Sequence, residues 1–309
     1  MSAPNLVNSL MDRLILPGAF SFTRFGYACR KRRLPPIETT LEDRTVVVTG
    51  ATSGLGLSAA CSLAALGARV VLVGRNPEKA EMARREVIAA SGNENVVVQL
   101  ADLGLMKEVR ALAARLLESE PAIHVLVNNA GYGAYGPLEA TPMSVLRRQF
   151  EVNFFGLAEL TKAVLPGMRE QQSGTIINVS SVGGRIVFPF GTLYHGSKWA
   201  VEGLSEALHF EVRLFGGRVK IVEPGGVNTD FGGRSFVFTN DETLDAYQPL
   251  VKAFVDAMAN MDTSGNQEPE EVAEVIWAAA TDDSDQLRYI SGAGARAMLS
   301  SRYAIDQDE

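Results

Sequence analysis

The sequence has few of the residues that build disulfide frameworks or metal sites. Of its 309 residues, two are cysteines, Cys29 and Cys61, and three are histidines. Two isolated cysteines favour a reduced, intracellular protein over a disulfide-stapled one, and neither has the spacing of a metal ligand. We therefore expect no disulfide framework and no bound metal.

Long apolar runs and an excess of positive charge are also missing. No stretch approaches the ~20 consecutive apolar residues that a membrane-spanning helix needs, because Pro17 and Gly18 break the best candidate. Basic residues follow that apolar stretch instead of preceding it, which disfavours a secretory signal. The net charge of −7 argues against nucleic-acid binding. These features predict a cytoplasmic protein.

The first 37 residues differ from the remainder in composition. They contain six basic residues and one acidic residue, interleaved with apolar side chains such as Phe20 and Phe22. This mixture would suit peripheral membrane contact through residues 1–37, a strap packed over the rest of the protein, or a disordered tail. We interpret residues 1–40 as an N-terminal arm and residues 41–309 as one domain, which is long enough to bury a full core.

From Leu41 onward, short runs rich in Val and Ile alternate with longer helical patterns. The predicted strands cover residues 45–49, 69–73, 96–99, 124–128, 174–179, 219–223 and 287–290, and the predicted helices cover residues 55–66, 78–90, 144–165 and 194–214. Strands that are apolar without alternation suit a parallel sheet buried on both faces. We predict an α/β fold: a single domain with a Rossmann-type doubly wound parallel sheet in three α/β/α layers.

A glycine-rich turn directly follows the first predicted strand. Gly50, Gly54 and Gly56 lie where a tight turn can bring the backbone close to a pyrophosphate at a helix N-terminus. A lone glycine cluster is often only a structural turn. Followed by alternating strands and helices, the spacing G-x-x-x-G-x-G favours a dinucleotide site.

The end of the second strand bears on the choice of cofactor. An NAD site places a carboxylate there for the ribose 2′-hydroxyl, whereas this chain has Gly74 and then Arg75. The guanidinium of Arg75 can bind a 2′-phosphate, with Ser53 as an additional donor. The sequence therefore favours NADP(H) over NAD(H), although a solvated arginine is the simpler interpretation of Arg75 alone.

Tyr194 and Lys198 are four residues apart in a predicted helix, so they share one face of it. We expect the Lys198 ammonium to lie close to the phenol and lower its pKa, which is near 10 in an unperturbed tyrosine. An acidified phenol can act as an acid or base near neutrality. Beside a nicotinamide cofactor, this pair predicts hydride transfer.

In this order and spacing, the motifs resemble the short-chain dehydrogenase/reductase family, in the branch with T-G-x-x-x-G-x-G and Y-x-x-x-K. The resemblance covers about residues 41–297. Its motifs are Thr49 to Gly56, Asp102-Leu103, Asn128-Asn129-Ala130-Gly131, Asn153, Ser181, Tyr194 with Lys198, and Pro224-Gly225 with Thr229.

The resemblance implies four catalytic residues. Tyr194 would be the acid in carbonyl reduction and the base in the reverse direction, and Ser181 would hydrogen-bond the reacting oxygen. Lys198 would contact the nicotinamide ribose, and Asn153 would hold a water that links Lys198 to solvent. Ser180 is the alternative to Ser181, but the separation of thirteen residues from Tyr194 that is usual in the family selects Ser181.

The resemblance also implies a wider cofactor site. Asp102 would bond the adenine edge, Asn128 to Gly131 would stabilise the sheet and contact the adenosine side, and Pro224 to Thr229 would lie along the nicotinamide. The expected cofactor-binding residues are Gly50, Thr52, Ser53, Gly54, Leu55, Gly56, Arg75, Asp102, Leu103, Asn129, Ala130, Gly131, Tyr194, Lys198, Pro224, Gly225, Val227 and Thr229. The alternative interpretation is that Asp102 caps a helix and that Asn128 and Asn129 form a turn.

Residues 229–265 interrupt the alternation and are predicted to lie over the crevice where such sheets bind ligands. This insertion and the segment before it contain the apolar residues Val187, Phe188, Phe190, Phe231, Phe236, Phe238, Tyr247, Leu250, Phe254 and Met258. With the resemblance, which leans toward retinol- and hydroxysteroid-type dehydrogenases, they predict a hydrophobic ketone, aldehyde or alcohol as substrate. Some of them could instead face a partner subunit, since the resemblance implies a homodimer or homotetramer.

The same residues bear on three other functions. A regulator that binds NADP(H) without turnover would not need Ser181, Tyr194 and Lys198 together. A lyase or isomerase on the same scaffold would cycle its cofactor internally. A Ser/His/Asp hydrolase using His195 or His209 is disfavoured, because the chain has no G-x-S-x-G turn.

Overall fold

The computed structural model describes residues 40–229, 233 and 235–305. The expectations about the N-terminal arm, Cys29 and Phe231 lie outside the described residues. Leu41–Glu309 forms one compact unit.

The described part of the chain contains nine strands and nine α-helices. The strands are β1 (Thr45–Thr49), β2 (Arg69–Gly74), β3 (Val96–Leu100), β4 (Val125–Asn128), β5 (Gly133–Tyr135), β6 (Gly174–Val179), β7 (Gly217–Pro224), β8 (Phe236–Phe238) and β9 (Arg288–Ser291). The α-helices are α1 (Gly54–Ala65), α2 (Pro77–Ser91), α3 (Met106–Ser119), α4 (Met143–Phe150), α5 (Gly156–Glu170), α6 (Thr192–Val212), α7 (Gln248–Ala259), α8 (Pro269–Thr281) and α9 (Ala293–Ile305).

Seven strands form one parallel sheet in the order β3-β2-β1-β4-β6-β7-β9. Val46 and Val48 of β1 pack with Leu63 of α1 on one face, whereas Val47 packs with Leu160 of α5 on the other. Both faces are therefore covered, as a strand of uninterrupted β-branched residues requires. The chain order reverses between β1 and β4, which opens a crevice at their carboxyl ends. The predicted three-layer, doubly wound fold is confirmed.

The predicted helices do not include α3, α8 and α9, and two further regions differ from the predicted elements. The helical patterns predicted over residues 144–165 are found as α4 and α5, and one π-helical turn, Glu151–Phe155, lies between them. Apolar periodicity does not reveal a single wide turn. The insertion contains a strand, β8, that pairs in parallel with β5 in a separate two-stranded sheet. Each of these strands has three residues, too few for a periodic pattern.

None of the described helices combines the length and hydropathy that crossing a bilayer demands. The described His, Cys, Asp and Glu residues form no group of three or more that could hold a metal ion.

Candidate active site

The glycine turn between β1 and α1 is packed too closely for side chains. Gly50 has φ = 63°, and a Cβ there would lie 2.8 Å from the Cα of Ala130. A Cβ on Gly56 would lie 2.4 Å from Asn129 Nδ2. The N-cap residue of α1, Ser53, makes no side-chain cap, and the first turn has no acidic residue. Its N–H groups can therefore bind an anion, so the turn fits the pyrophosphate of a dinucleotide.

Gly56→Ala is expected to lower the free energy of unfolding by about 1–3 kcal/mol and to weaken dinucleotide binding, because the new methyl group must displace the turn. Thermal unfolding and a binding titration would measure both effects. Gly294→Ala is the matched control, since a Cβ at Gly294 meets no atom within 4 Å. Equal behaviour of the two variants would contradict the close packing at Gly56.

Asn128, the last residue of β4, and Asn129, which follows it, connect β4 to the neighbouring segments. Thr49 Oγ1 accepts a hydrogen bond from the Asn129 amide at 2.9 Å, and Asn129 Nδ2 donates back to the Thr49 carbonyl at 2.9 Å. Asn128 turns into the core, where Nδ2 donates to Thr161 Oγ1 at 3.0 Å and to Asn178 Oδ1 at 2.9 Å. Asn128 therefore stabilises the sheet, and Asn129 holds the glycine turn.

The end of β2 brings together residues expected at the adenosine. Gly74 has no room for a side chain, because a Cβ would lie 2.5 Å from Thr52 Cγ2. Arg75 is exposed, and the Asp102 carboxylate accepts bonds from Arg148 Nη2 at 2.9 and 2.8 Å. Burial raises the pKa of Asp102, but its hydrogen bonds and the nearby Arg75 charge outweigh this and lower it. Arg75 and Asp102 thus lie at the same end of the crevice.

The loop after β7 returns to the glycine turn. A Cβ on Gly54 would lie 3.4 Å from Thr229 Cγ2, so the end of the loop faces the turn. A Cβ on Gly225 would lie 3.2 Å from Ala295 Cβ. Val227 pairs with Gln267 in an isolated bridge. These contacts hold the loop over the crevice.

The π turn positions Asn153. Its Oδ1 accepts a hydrogen bond from the Tyr132 amide at 3.1 Å, and its Nδ2 donates to the Tyr132 carbonyl at 2.9 Å and to Ser197 Oγ at 3.1 Å. A Cβ on Gly131 would lie 3.2 Å from Asn153 Oδ1 and 3.7 Å from Lys198 Nζ. The fold therefore brings Asn153 and Lys198 to one point, and π turns are frequent at functional sites.

Ser181 and Tyr194 form the centre of the candidate site. Tyr194, on α6, is buried and hydrogen-bonded to Ser181. Burial raises the pKa of Tyr194, and the bond with Ser181 opposes the rise. Ser180 instead lies beside Glu202. The structure thus places Ser181, not Ser180, against the phenol.

Lys198 is in place but not in the expected role toward the phenol. Its Nζ donates to the Val179 carbonyl at 2.8 Å and lies 6.0 Å from the centre of the Tyr194 ring. Burial lowers the pKa of Lys198 to about 8, and the charge of Glu202 opposes this. Lys198 was expected to lower the pKa of the Tyr194 phenol. Within the polypeptide alone this expectation is not met, because burial raises the pKa of Tyr194 and the Lys198 ammonium donates to the Val179 carbonyl.

His195, which was considered above only for a hydrolase, has a structural role beside Ser181. Its buried ring accepts a hydrogen bond from the Phe188 amide at Nε2, 3.1 Å away, and its Nδ1 lies 2.8 Å from the Gly183 carbonyl. A neutral imidazole with its proton on Nδ1 satisfies both contacts. The only hint in the sequence is that residues 183 and 191 are glycines. A Cβ at Gly183 would lie 2.8 Å from a ring atom of His195, and a Cβ at Gly191 would lie 2.2 Å from another. His195 thereby ties the segment after Ser181 to α6.

His195→Phe is expected to lower the free energy of unfolding by about 2 kcal/mol, since two backbone groups lose their partners. Burial lowers the pKa of His195, so its contribution to stability is complete above the unfolded pKa near 6.5 and is lost as pH falls through the folded pKa. Denaturant unfolding at several pH values would show this component in the wild type and not in the variant.

His209→Phe makes the same change on the same helix and is the control. His209 Nδ1 has no hydrogen-bond partner among the described residues, so its loss should cost less. A larger cost at His209 than at His195 would contradict the proposed role of the two backbone contacts.

An aromatic wall lies beside Tyr194. Its members are Tyr135, Phe190, Phe236, Phe238 and Phe254. The Tyr135 ring stacks on Tyr194 at a centroid distance of 5.6 Å and on Phe236 at 5.1 Å. The pairing of β5 with β8 brings these rings together. Tyr135 was not among the predicted pocket residues, because nothing in its local sequence marks it.

Not all of the predicted pocket residues face this wall. Val187, Leu250 and Met258 are 66%, 51% and 40% exposed, respectively. Tyr247 donates its hydroxyl hydrogen bond to Glu139 Oε2 at 2.9 Å. The wall is therefore formed by β5, β8, Phe254 of α7 and Phe190, which lies just before α6.

A model of the family described as short chain dehydrogenase matches residues 44–237. The chain belongs to this family. Retinol dehydrogenase 8 of Homo sapiens is 33% identical over 251 residues, which cover 75% of this short-chain dehydrogenase and 76% of the human protein.

Two solved structures extend the comparison. A short-chain dehydrogenase from Streptomyces avermitilis is 32% identical, with a TM-score of 0.76 over 88% of this chain and 95% of that one. A metagenomic short-chain oxidoreductase in complex with NADP is 29% identical, with a TM-score of 0.66 over 82% of this chain and 98% of that one. The similarity thus extends well beyond the matched segment of this short-chain dehydrogenase.

Proposed function

We propose that this protein is an NADP(H)-dependent oxidoreductase that transfers a hydride between the cofactor and a hydrophobic ketone, aldehyde or alcohol. The observation that carries the proposal is the arrangement at the carboxyl ends of the parallel strands. There, the buried phenol of Tyr194 is hydrogen-bonded to Ser181 and lies near Lys198 and Asn153, on the opposite side of the crevice from the glycine turn.

The residues around the crevice suit a dinucleotide. The uncapped N-terminus of α1 would hold the pyrophosphate, Asp102 the adenine edge, and Lys198 the nicotinamide ribose. When bound, NADPH supplies the hydride from its nicotinamide ring. Two observations support a cofactor with a 2′-phosphate. Arg75 is exposed and follows Gly74, which has no room for a side chain. A related solved structure contains NADP.

Tyr194 is the proton donor in this proposal. A phenol is protonated at neutral pH and can give its proton to a carbonyl oxygen. Burial raises the pKa of Tyr194 and so weakens it as an acid, and the bond with Ser181 opposes the rise. Ser181 would hold the carbonyl oxygen through a second hydrogen bond. Lys198 and Asn153 would return a proton to the tyrosine after each turnover.

The aromatic wall supports an apolar substrate. Apart from the Tyr135 hydroxyl, the side chains of the wall are apolar. A ligand would therefore be bound mainly through apolar surface, with its oxygen at Tyr194 and Ser181. The similarity to a retinol dehydrogenase agrees with this assignment.

The deciding experiment follows oxidation of NADPH, and separately of NADH, with a panel of aliphatic, aromatic, retinoid and steroid carbonyls. Oxidation of NADPH with the apolar members would support the proposal. Binding of NADPH without turnover of any member would favour a non-catalytic regulator or an internal redox cycle.

A further inference from the structure

A chain of hydrogen bonds joins the His195 imidazole to the Ser181 hydroxyl. Ser181 Oγ accepts a hydrogen bond from the Gly183 amide at 3.0 Å, and the Gly183 carbonyl lies 2.8 Å from His195 Nδ1. Gly183 belongs to one 3-10 turn, Val182–Gly184, whose N-cap is Ser181. A hydroxyl has one donor and two acceptor sites, so the Gly183 amide restricts how Ser181 can present its hydroxyl to Tyr194. The orientation of Ser181 therefore depends on the position of this turn.

The other ring nitrogen holds the segment that carries Phe190 of the aromatic wall, since Nε2 of His195 accepts a hydrogen bond from the Phe188 amide at 3.1 Å. Phe190 has φ = 60°, a left-handed conformation that is strained for a residue with a side chain. The Phe188 carbonyl accepts from the Gly191 amide at 3.2 Å. The Phe190 carbonyl accepts from the Gly136 amide at 2.9 Å. The contact with His195 is thus one of three hydrogen bonds that hold a strained turn in place.

The imidazole is buried among aromatic rings. Its ring centre lies 5.6 Å from that of Tyr194 on α6, 6.1 Å from that of Tyr135 on β5 and 5.6 Å from that of Phe188. The two phenols are the titratable groups in ring contact with it among the described residues. Burial lowers the pKa of His195, and the bond with the Gly183 carbonyl opposes this. The imidazole is therefore neutral near pH 7.

Charged groups near His195 in the sequence are bonded elsewhere. Arg185 is the charged residue of the segment between Ser181 and α6, and its Nη1 lies 3.1 Å from Glu223 Oε2. Lys198 follows His195 by three residues on α6, and its Nζ donates to a carbonyl of β6 at 2.8 Å. In the part of the chain that the structure describes, the imidazole thus makes its polar contacts with backbone groups.

We propose that His195 is a positioning residue whose two ring nitrogens set the two halves of the substrate site. Through Gly183, Nδ1 orients Ser181, which holds the reacting oxygen. Through Phe188, Nε2 holds Phe190 in the wall against which the substrate packs. Protonation adds a hydrogen at Nε2 that faces the Phe188 amide, so this contact is lost while the one at Nδ1 remains. The inference rests on the proposed function, because that function gives the two halves their tasks.

Two amide variants separate the two contacts. Asparagine places its amide near the position of Nδ1, and glutamine places its amide near that of Nε2. His195→Asn can keep the bond with Gly183 but loses Phe188, so KM for an apolar carbonyl should rise about three- to tenfold with little change in kcat. His195→Gln can keep the bond with Phe188 but loses Gly183, so kcat should fall by a similar factor with little change in KM.

His209→Asn and His209→Gln are the controls, because they make the same changes at the other histidine of α6. Both should leave kcat and KM near the wild-type values. Wild-type kinetics in the two His195 variants would overturn the proposal. Equal changes of kcat and KM in both would do so too, since they would show a general loss of structure instead of two separate tasks.

The pH dependence of KM is a readout that a merely structural role would not move. In the wild type, KM should rise as pH falls through the folded pKa of His195, which lies below the usual 6.5, because protonated Nε2 releases the Phe188 amide. His195→Gln should show no such rise, since its amide does not titrate. A rise that persists in His195→Gln would belong to another group and would contradict the assignment.

A measurement without substrate separates this inference from the proposed function. The Phe188 amide signal is followed by NMR in the full chain through an acid titration, together with the ring signals of His195. We expect the two to titrate together, and the Phe188 signal to be independent of pH in His195→Gln. This result without turnover of any carbonyl would support the inference and count against the proposed function.

The opposite result is equally clear. A Phe188 amide that does not respond to protonation of His195 would overturn the inference even in an active enzyme. If the His195 variants do not fold, the wild-type titration still decides. If acid unfolds the protein before His195 is protonated, the contrast between His195→Asn and His195→Gln at pH 7.5 decides instead.

Discussion

Tyr194→Phe is expected to lower kcat for carbonyl reduction by about 10³-fold, which is within the range that general acid catalysis contributes. The phenylalanine ring retains the stacking on Tyr135 and the packing of the buried site, but it has no proton to give. Affinity for NADPH should therefore change little. Steady-state kinetics with an active carbonyl, together with a cofactor titration by fluorescence, would measure both quantities.

Tyr303→Phe is the matched control for this substitution. Tyr303 lies on α9 and is 45% exposed, so removal of its hydroxyl should leave kcat near the wild-type value. Turnover by Tyr194→Phe at a rate comparable to this control would rule out Tyr194 as the acid. A loss of NADPH binding as large as the loss of kcat would mean that the ring positions the cofactor instead.

Arg75→Ala is expected to weaken NADPH binding by about 1.5–3 kcal/mol, because one charge-assisted contact to the 2′-phosphate is lost. Binding of NADH, which has a hydroxyl at that position, should change by much less. Arg75 is exposed at the end of β2, so the substitution should not disturb the core. Isothermal titration with both cofactors would give the two free energies.

Arg85→Ala provides the comparison for charge alone. Arg85 lies on α2 with its side chain 75% exposed and pairs with Glu81 within the helix, away from the crevice. Its removal should affect NADPH and NADH equally and weakly. Equal losses for both cofactors in Arg75→Ala would make Arg75 a bystander and remove the main support for NADP(H) preference.

Much of the framework could be predicted because its signals are local. β1 and β6 occupy the predicted residues, since runs of buried β-branched side chains end at polar or glycine residues. The helix predicted over residues 78–90 is found as α2, with Asn76 as its cap, Pro77 in its first turn and Gly92 at its end. Such caps act within a few residues of the chain and are visible in the sequence.

The glycine turn and the Tyr194 helix were also predictable, because each motif depends on spacing within one segment. Their meeting in space followed from the rule that carboxyl ends of parallel strands share one edge of a sheet. The choice between Ser180 and Ser181 rested on resemblance. The structure adds the physical reason, since Ser181 meets the phenol whereas Ser180 lies beside Glu202.

By itself, the sequence determined the α/β fold, the dinucleotide crevice and the Tyr194–Lys198 pair, all of which depend on periodicity and short spacings. Only the tertiary structure decided that Lys198 bonds Val179, that Tyr135 stacks on Tyr194, and that Arg288 joins Glu202 to Glu223. These contacts join residues far apart in the chain, and their strength depends on burial, which raises the cost of every unpaired charge. Neither the partner nor the burial of a side chain is present in its local sequence.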